Sequence, residues 1–189
     1  MKKYITDKTF RDIDFTDQDI VPVDYENCTF INCTFTGVDL GEFSFEDCSF
    51  ETCDVSNAKL THTSFKNITF KSCKLIGLQF DTCNPFLLEF SFDKCMLNYS
   101  SFYGLDIPKT QFFECSVVEV DFNETNLSEA VFSNCNLSGA MFGNTNLQRA
   151  DLRDNRGIMI DPEVNQVTGA KFSLESLPGL LMKYNLLIE

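Results

Sequence analysis

The 189-residue sequence predicts an all-β fold, a four-sided β-helix, on the strength of three periodicities. First, between Asp121 and Leu152 a large apolar residue stands at every fifth position: Phe122, Leu127, Phe132, Leu137, Phe142, Leu147 and Leu152. Second, two residues before each stands a small or slender one, as at Val120, Thr125, Ala130, Cys135, Ala140, Thr145 and Ala150. A period of five fits neither an amphipathic helix nor a flat strand. It makes each unit of five one side of a coil, with two side chains turned inward. Third, steps of 20 align like with like in the column Phe10, Phe30, Phe50, Phe70, so four sides close one coil. At the ~4.8 Å spacing of paired strands, about seven coils make a rod roughly 34 Å long.

The register starts near Ile5 and is firm from Phe10. It runs through Phe15, Ile20, Tyr25 and every fifth residue to Phe80, none of them polar. It breaks at Cys83–Phe90, where Pro85 falls on the expected heavy position, and resumes two residues out of phase at Phe92. Two extra residues with a proline predict a bulge within residues 84–91, the one irregularity between Phe10 and Leu152. The column Ile20, Leu40, Leu60, Phe80, Phe102, Phe122, Phe142 turns aromatic midway, so rings can stack along the axis. The repeat body is expected over residues 1–172, with its heavy positions buried throughout.

Past Leu152 the pattern decays, and residues 173–189 are expected to cap the rod. Ser173 can N-cap a short helix carrying Glu175 in its first turn. Pro178 and Gly179 keep that helix short. The apolar tail Asn185–Glu189 is expected to pair or pack as a strand. Leu177, Leu180, Leu181, Tyr184, Leu186 and Ile188 offer more apolar surface than one rod end needs. They are therefore assigned to a twofold homodimer contact.

Nine cysteines invite a metal or redox reading, yet all lie on the slender inward positions. There they act as small buried hydrophobes. No CxxC pair occurs, and His62, the single histidine, faces outward without a catalytic neighbour. Free thiols, no metal, no cofactor and no enzymatic activity are expected, and a tube filled with Phe and Leu leaves no pocket for a small-molecule substrate. The N-terminus has no apolar signal core, and no run approaches the ~20 residues of a membrane span. A cytoplasmic protein is expected.

The formal charge is −13, which excludes nucleic acid and anionic membranes as natural partners and favours a basic one. Between Asp12 and Ala58 stand twelve acidic residues and no Lys or Arg. Four-sided folding places Asp19, Asp39 and Glu42 on one side, and Asp24, Glu26, Glu46 and Asp47 on the adjacent one. Two readings remain open: a solubility coat against edge-to-edge association, or an electrostatic decoy for a DNA-binding protein. B-DNA carries about 20 charges per 34 Å of axis, and the rod's charge is of that order.

The unit [small]-[polar]-[Leu/Phe]-x-x, as in Ala150-Asp151-Leu152-Arg153-Asp154, resembles that of pentapeptide-repeat proteins. The resemblance covers about four-fifths of the chain and implies a right-handed quadrilateral β-helix. The interruption Asn84–Phe90 resembles the Qnr and MfpA quinolone-resistance branch. So does the C-terminal run through Ile160-Asp161-Pro162, Gly169–Phe172 and Leu180-Leu181. The resemblance implies a DNA-mimicking dimer on a type II topoisomerase, chiefly gyrase. The unbroken run Phe10–Phe80 is similar to the loopless MfpA type. The alternative is a scaffolding repeat protein with no topoisomerase role.

Overall fold

A computed structural model describes residues 3–16 and 20–187. Most five-residue sides end where one residue adopts the left-handed conformation, two places after the heavy position. Asp7, Asp12, Asn27, Asn32, Asp47 and Asn57 do so at φ of 50–56°. Pro22 and Thr82 are exceptions, the latter closing a 3₁₀ turn over Phe80–Thr82. Asn, Asp and Gly tolerate the left-handed region best, and they hold many of these corners, with Glu, Lys, Ser, Thr and others at the rest. The polar residue that the repeat places there is thus a backbone requirement as well as a surface choice. His62 occupies such a corner, exposed, with its N–H donating to Thr82 O at 3.0 Å.

Between corners the sides are short parallel strands. One sheet holds four: Lys3–Thr6, Val23–Glu26, Ser44–Glu46 and Ser64–Lys66. The adjacent sheet holds seven: Thr9–Arg11, Thr29–Ile31, Ser49–Glu51, Ile68–Lys71, Phe90–Asp93, Gln111–Phe113 and Val131–Ser133. The other sides are joined by isolated parallel bridges, the last pairing Asp151 with Lys171. Partners are 20 residues apart, as Phe10 with Phe30 and Phe30 with Phe50. Ser64 still pairs with Asn84, whereas Ile68 pairs with Phe90. The two extra residues therefore lie in Pro85–Glu89, the bulge region, and they end the four-stranded sheet. Pro85, Phe86 and Leu87 point outward while Leu88 and Phe90 are buried. Among the described residues from Phe10 to Leu152 the β-pairing shifts nowhere else, but the bulge is not the one irregularity expected, because a 3₁₀ turn over Phe80–Thr82 replaces the corner just before it.

Heavy positions from Tyr25 to Leu152 are buried, Pro85 excepted. Ring stacks run along the axis: Phe10–Phe30 at 4.9 Å, Phe30–Phe50 at 4.8 Å and Phe112–Phe132 at 4.4 Å, all within 10° of parallel. Perpendicular contacts tie neighbouring columns, as Phe122 to Phe132 at 5.9 Å and 85°. Burial throughout does not hold at the ends. Ile5, Phe10 and Ile20 in the first coil, and Val167 and Phe172 in the last, are partly exposed, because an end coil has a neighbour on one side only. Nor is the core filled completely. A cavity of about 310 Å³ lies among first-coil and second-coil side chains, so the expectation of a tube without a pocket is corrected at that end.

The slender positions are not all slender: Phe43, Ile68, Leu78 and Leu105 occupy them and are buried. Along its own column Phe43 sits between Val23 and Thr63, so large and small residues alternate and fill the tube. The cysteines also do more than fill space. Cys53 Sγ donates to Phe30 O at 3.4 Å and Cys135 Sγ to Phe112 O at 3.3 Å, each the heavy residue of the preceding coil. Thr63, Thr125 and Thr145 hydroxyls make the same bond at 2.7–2.8 Å, and the side-chain amides of Asn155 and Asn165 make it at 2.7 and 2.9 Å. A carbonyl in this dry interior needs a donor, and Cys, Thr and Asn supply one where Ala cannot.

All nine cysteines are free and buried. Burial pushes the thiols of Cys33, Cys48 and Cys83 up, Cys48 to about 12 from an ordinary 9.0. Thiol titration is expected to find few reactive groups in the native protein and close to nine in the denatured one. In the unfolded chain these thiols ionise near pH 9, while the folded chain keeps its protons. Their contribution to stability is thus complete below about pH 9 and lost as pH rises toward 12. A denaturation midpoint unchanged between pH about 8 and about 11 would contradict this linkage.

The C-terminal segment is irregular: a 3₁₀ turn at Leu174–Ser176, one α-turn at Leu177–Leu180, and a second 3₁₀ turn at Met182–Tyr184. Ser173 precedes the first turn but its side chain does not cap it. Its Oγ instead accepts the Asp154 N–H at 2.8 Å and ties the segment to the last coil. A Cβ at Gly179 would lie 1.8 Å from Ile158 O, so only glycine lets the turn press this closely on the coil. Lys183 Nζ bridges Asp161 at 2.8 Å and Glu163 at 2.6 Å. The expected terminal strand does not form over Asn185–Leu187, where Asn185 turns left-handed and the two leucines are exposed. Ile188 and Glu189 lie outside the described residues.

Candidate partner-binding surface

The 20-residue pairing places the acidic residues. Asp24 and Glu26 lie on Val23–Glu26, with Glu46 directly beside Glu26 in the next strand and Asp47 at the corner that follows. The structure therefore brings Asp24, Glu26, Glu46 and Asp47 together on one side. Asp39 and Glu42 lie on the adjacent side, both exposed, with Asp39 Oδ1 accepting the Gly41 N–H at 2.9 Å. Asp19 lies outside the described residues.

Crowding of like charge is relieved in two ways. Along one corner column the residues read Asp7, Asn27, Asp47, Asn67, and the amides of Asn27 and Asn67 donate to Asp7 and Asp47. Carboxylates are thereby held two strand spacings apart, roughly 10 Å, with a donor between them. The second device is a belt of lysines in the following coil. Lys66 pairs with Glu46 at 3.1 Å and Lys74 with Asp54 at 3.7 Å, while Lys59 stands over Asp39 and Lys71 over Glu51. The acidic surface is thus densest on the first two coils and partly neutralised on the third. Asp7 belongs to it, and the same 20-residue step that aligned the phenylalanines could have found it.

A second acidic zone escaped the reading by charge runs. Glu114, Glu119, Glu124 and Glu129 occupy four successive corners of one coil, each at φ of 50–60°. Lys94 reaches Glu114 at 3.6 Å. These four ring the rod and do not add to one side, because consecutive corners face different directions.

The C-terminal apolar residues divide. Leu180 packs against the core, so it caps the rod. Leu177, Leu181, Tyr184 and Leu186 are exposed, joined by Leu174 and by Leu187 of the apolar tail, neither of which was assigned to the dimer contact. Tyr184 keeps its hydroxyl on Glu163 Oε1 at 2.6 Å. Among the described residues no cluster of His, Cys, Asp and Glu has the form of a metal site. None of their helices is long and apolar enough to cross a membrane.

No curated protein matches this chain significantly. In fold it is similar to two trypsin-treated variants of QnrB1, a plasmid-mediated fluoroquinolone resistance protein. Each is 18% identical with a TM-score of 0.64, covering 98% and 97% of this chain and 100% and 99% of theirs. It also aligns, at TM-score 0.44 and 12% identity over 88% of this chain and 84% of that one, with HetL. HetL is a pentapeptide-repeat protein involved in heterocyst differentiation regulation in the cyanobacterium Nostoc. The pentapeptide repeat region family matches residues 23–102, 43–121 and 87–157, most of the solenoid body. Repeat, corner and pairing all agree with that match, and the chain belongs to the pentapeptide-repeat family.

Proposed function

We propose that this protein is a cytoplasmic DNA mimic that binds a type II topoisomerase, DNA gyrase by the branch it resembles, and modulates its activity. It acts by occupying a surface, without catalysis. The observation that carries this reading is the side bearing Asp24, Glu26, Glu46 and Asp47, beside the one bearing Asp39 and Glu42, on a chain free of basic residues from Asp12 to Ala58. The fold shared with a fluoroquinolone resistance protein supports it. The test is a gyrase supercoiling assay with and without a quinolone. Inhibition that weakens as salt rises is expected, because exposed charges are screened within ~8 Å at physiological ionic strength. No inhibition, no binding and no protection from the drug would sink the proposal.

The lysine belt favours a second reading. Ion pairs between coils are what a scaffold with a solubility coat would also need, and they shorten the acidic face. That reading stands if the wild-type protein leaves the topoisomerase untouched.

Assembly belongs to the same proposal. Exposed Leu177, Leu181, Tyr184 and Leu186 form the contact of a twofold homodimer, which doubles the length of the acidic rod. Deleting residues 173–189 is expected to give monomers or aggregates. A wild-type protein that sediments as a monomer at tens of micromolar would remove the dimer.

A further inference from the structure

We propose that the N-terminal end of the rod is a socket that takes one large apolar side chain presented between basic residues of a protein partner. The cavity of about 310 Å³ there is lined by Ile5, Phe10, Ile13, Ile20, Val21 and Tyr25, among other apolar side chains, with Lys3 the one charged residue in its wall among the described residues. Its size is in the range of pockets that hold small ligands, ~300 Å³ and upward. Phe10, Ile13 and Ile20 are each partly exposed, and Val21 is 66% exposed. An aromatic anchor in an apolar pocket with a charged rim is the usual energetic centre of a protein interface.

Charge selects the occupant. The cavity also reaches Leu40, Phe43 and Phe45, so part of its wall is the inner face of the two sides that carry Asp24, Glu26, Asp39, Glu42 and Glu46 outside, the rest coming from residues such as Phe10, Phe15 and Phe35 on the other two. In the described part of Lys3–Glu26, five carboxylates (Asp7, Asp12, Asp14, Asp24 and Glu26) face three cations (Lys3, Lys8 and Arg11). Beyond them no cation follows before Lys59. A second copy would bring the same negative collar against this one, and an anionic amphiphile would meet it head-on. A basic-flanked side chain gains from both the cavity and the collar. The socket shares the basic partner of the proposed function but requires no topoisomerase, so the two fail separately.

The chain contains no tryptophan, so a Lys-Lys-Trp-Lys-Lys peptide can be followed by its own fluorescence against the intact protein. Its emission is expected to shift to the blue and saturate. Lys-Lys-Ala-Lys-Lys should compete about tenfold or more weakly, the loss of one buried apolar side chain. Val21→Lys alters an exposed wall residue, and is expected to keep the wild-type Tm while weakening the tryptophan peptide by a similar factor. Methyl resonances of Ile5, Ile13 and Ile20 should move with the same titration. An unshifted emission, equal binding of Glu-Glu-Trp-Glu-Glu, or undiminished binding to a folded Val21→Lys variant would each overturn the socket.

Discussion

Phe132→Asp is expected to yield no folded protein. The ring is 1% exposed, stacked on Phe112 at 4.4 Å and set edge-on to Phe122 at 5.9 Å. Removing a buried Phe side chain costs about 3–5 kcal/mol. An unpaired carboxylate in the same dry column costs several kcal/mol more, unless it takes up a proton. Together these approach the ~5–15 kcal/mol that holds a typical domain folded. Coils also lean on their neighbours, so a break in one propagates to the next. Phe132→Leu keeps the apolar column and is expected to cost only about 1–2 kcal/mol. Circular dichroism and a denaturation curve for the two variants separate the outcomes. A soluble Phe132→Asp protein that melts like the wild type would contradict the inward assignment.

The second large effect is expected on binding. Reversal of Asp24, Glu26, Glu46 and Asp47 to Lys at first suggests a purely surface change, since all four face outward. The structure corrects that for Glu46, which pairs with Lys66 at 3.1 Å. A lysine there would place like charges side by side in adjacent strands, a destabilising arrangement. Glu46→Gln with the other three reversed changes the charge by seven units and gives up the partly exposed Lys66 pair, worth ~0.2–1 kcal/mol, together with the hydrogen bond that Asp47 accepts from the Asn67 amide. This variant is expected to lose topoisomerase inhibition while its Tm stays within a few degrees of wild type. Asp14→Lys with Glu51→Gln and Asp54→Asn, on the other sides and neutralised at the two positions that stand beside Lys71 and Lys74, is expected to matter less. Equal loss from both sets, compared per unit of charge, would show an effect of net charge and not of a shaped surface.

The repeat made most of the fold legible. A register in which every fifth residue is apolar leaves one way to bury the chain, and the step of 20 then sets the pairing of Phe30 with Phe50 and of Glu26 with Glu46. The bulge was legible because Pro85 cannot occupy an inward strand position, and the acidic sides because they follow from the same step. The hydrogen bonds from Cys53, Thr63 and Asn155 to carbonyls 23 residues earlier were not, since they join groups that meet only after a full coil closes. Contacts between one coil and the next also decided that Lys66 neutralises Glu46.

At the two ends the period stops and composition takes over. Apolar content marked the segment after Phe172 as a cap, but could not say that Leu180 turns inward while Leu177 turns out. That division depends on how closely Gly179 lets the turn approach Ile158 O. At the other end the sequence placed Ile5, Phe10 and Ile20 in the core by register alone. Tertiary structure left them half-covered around a cavity, because stacking needs a neighbour on both sides and the first coil has one.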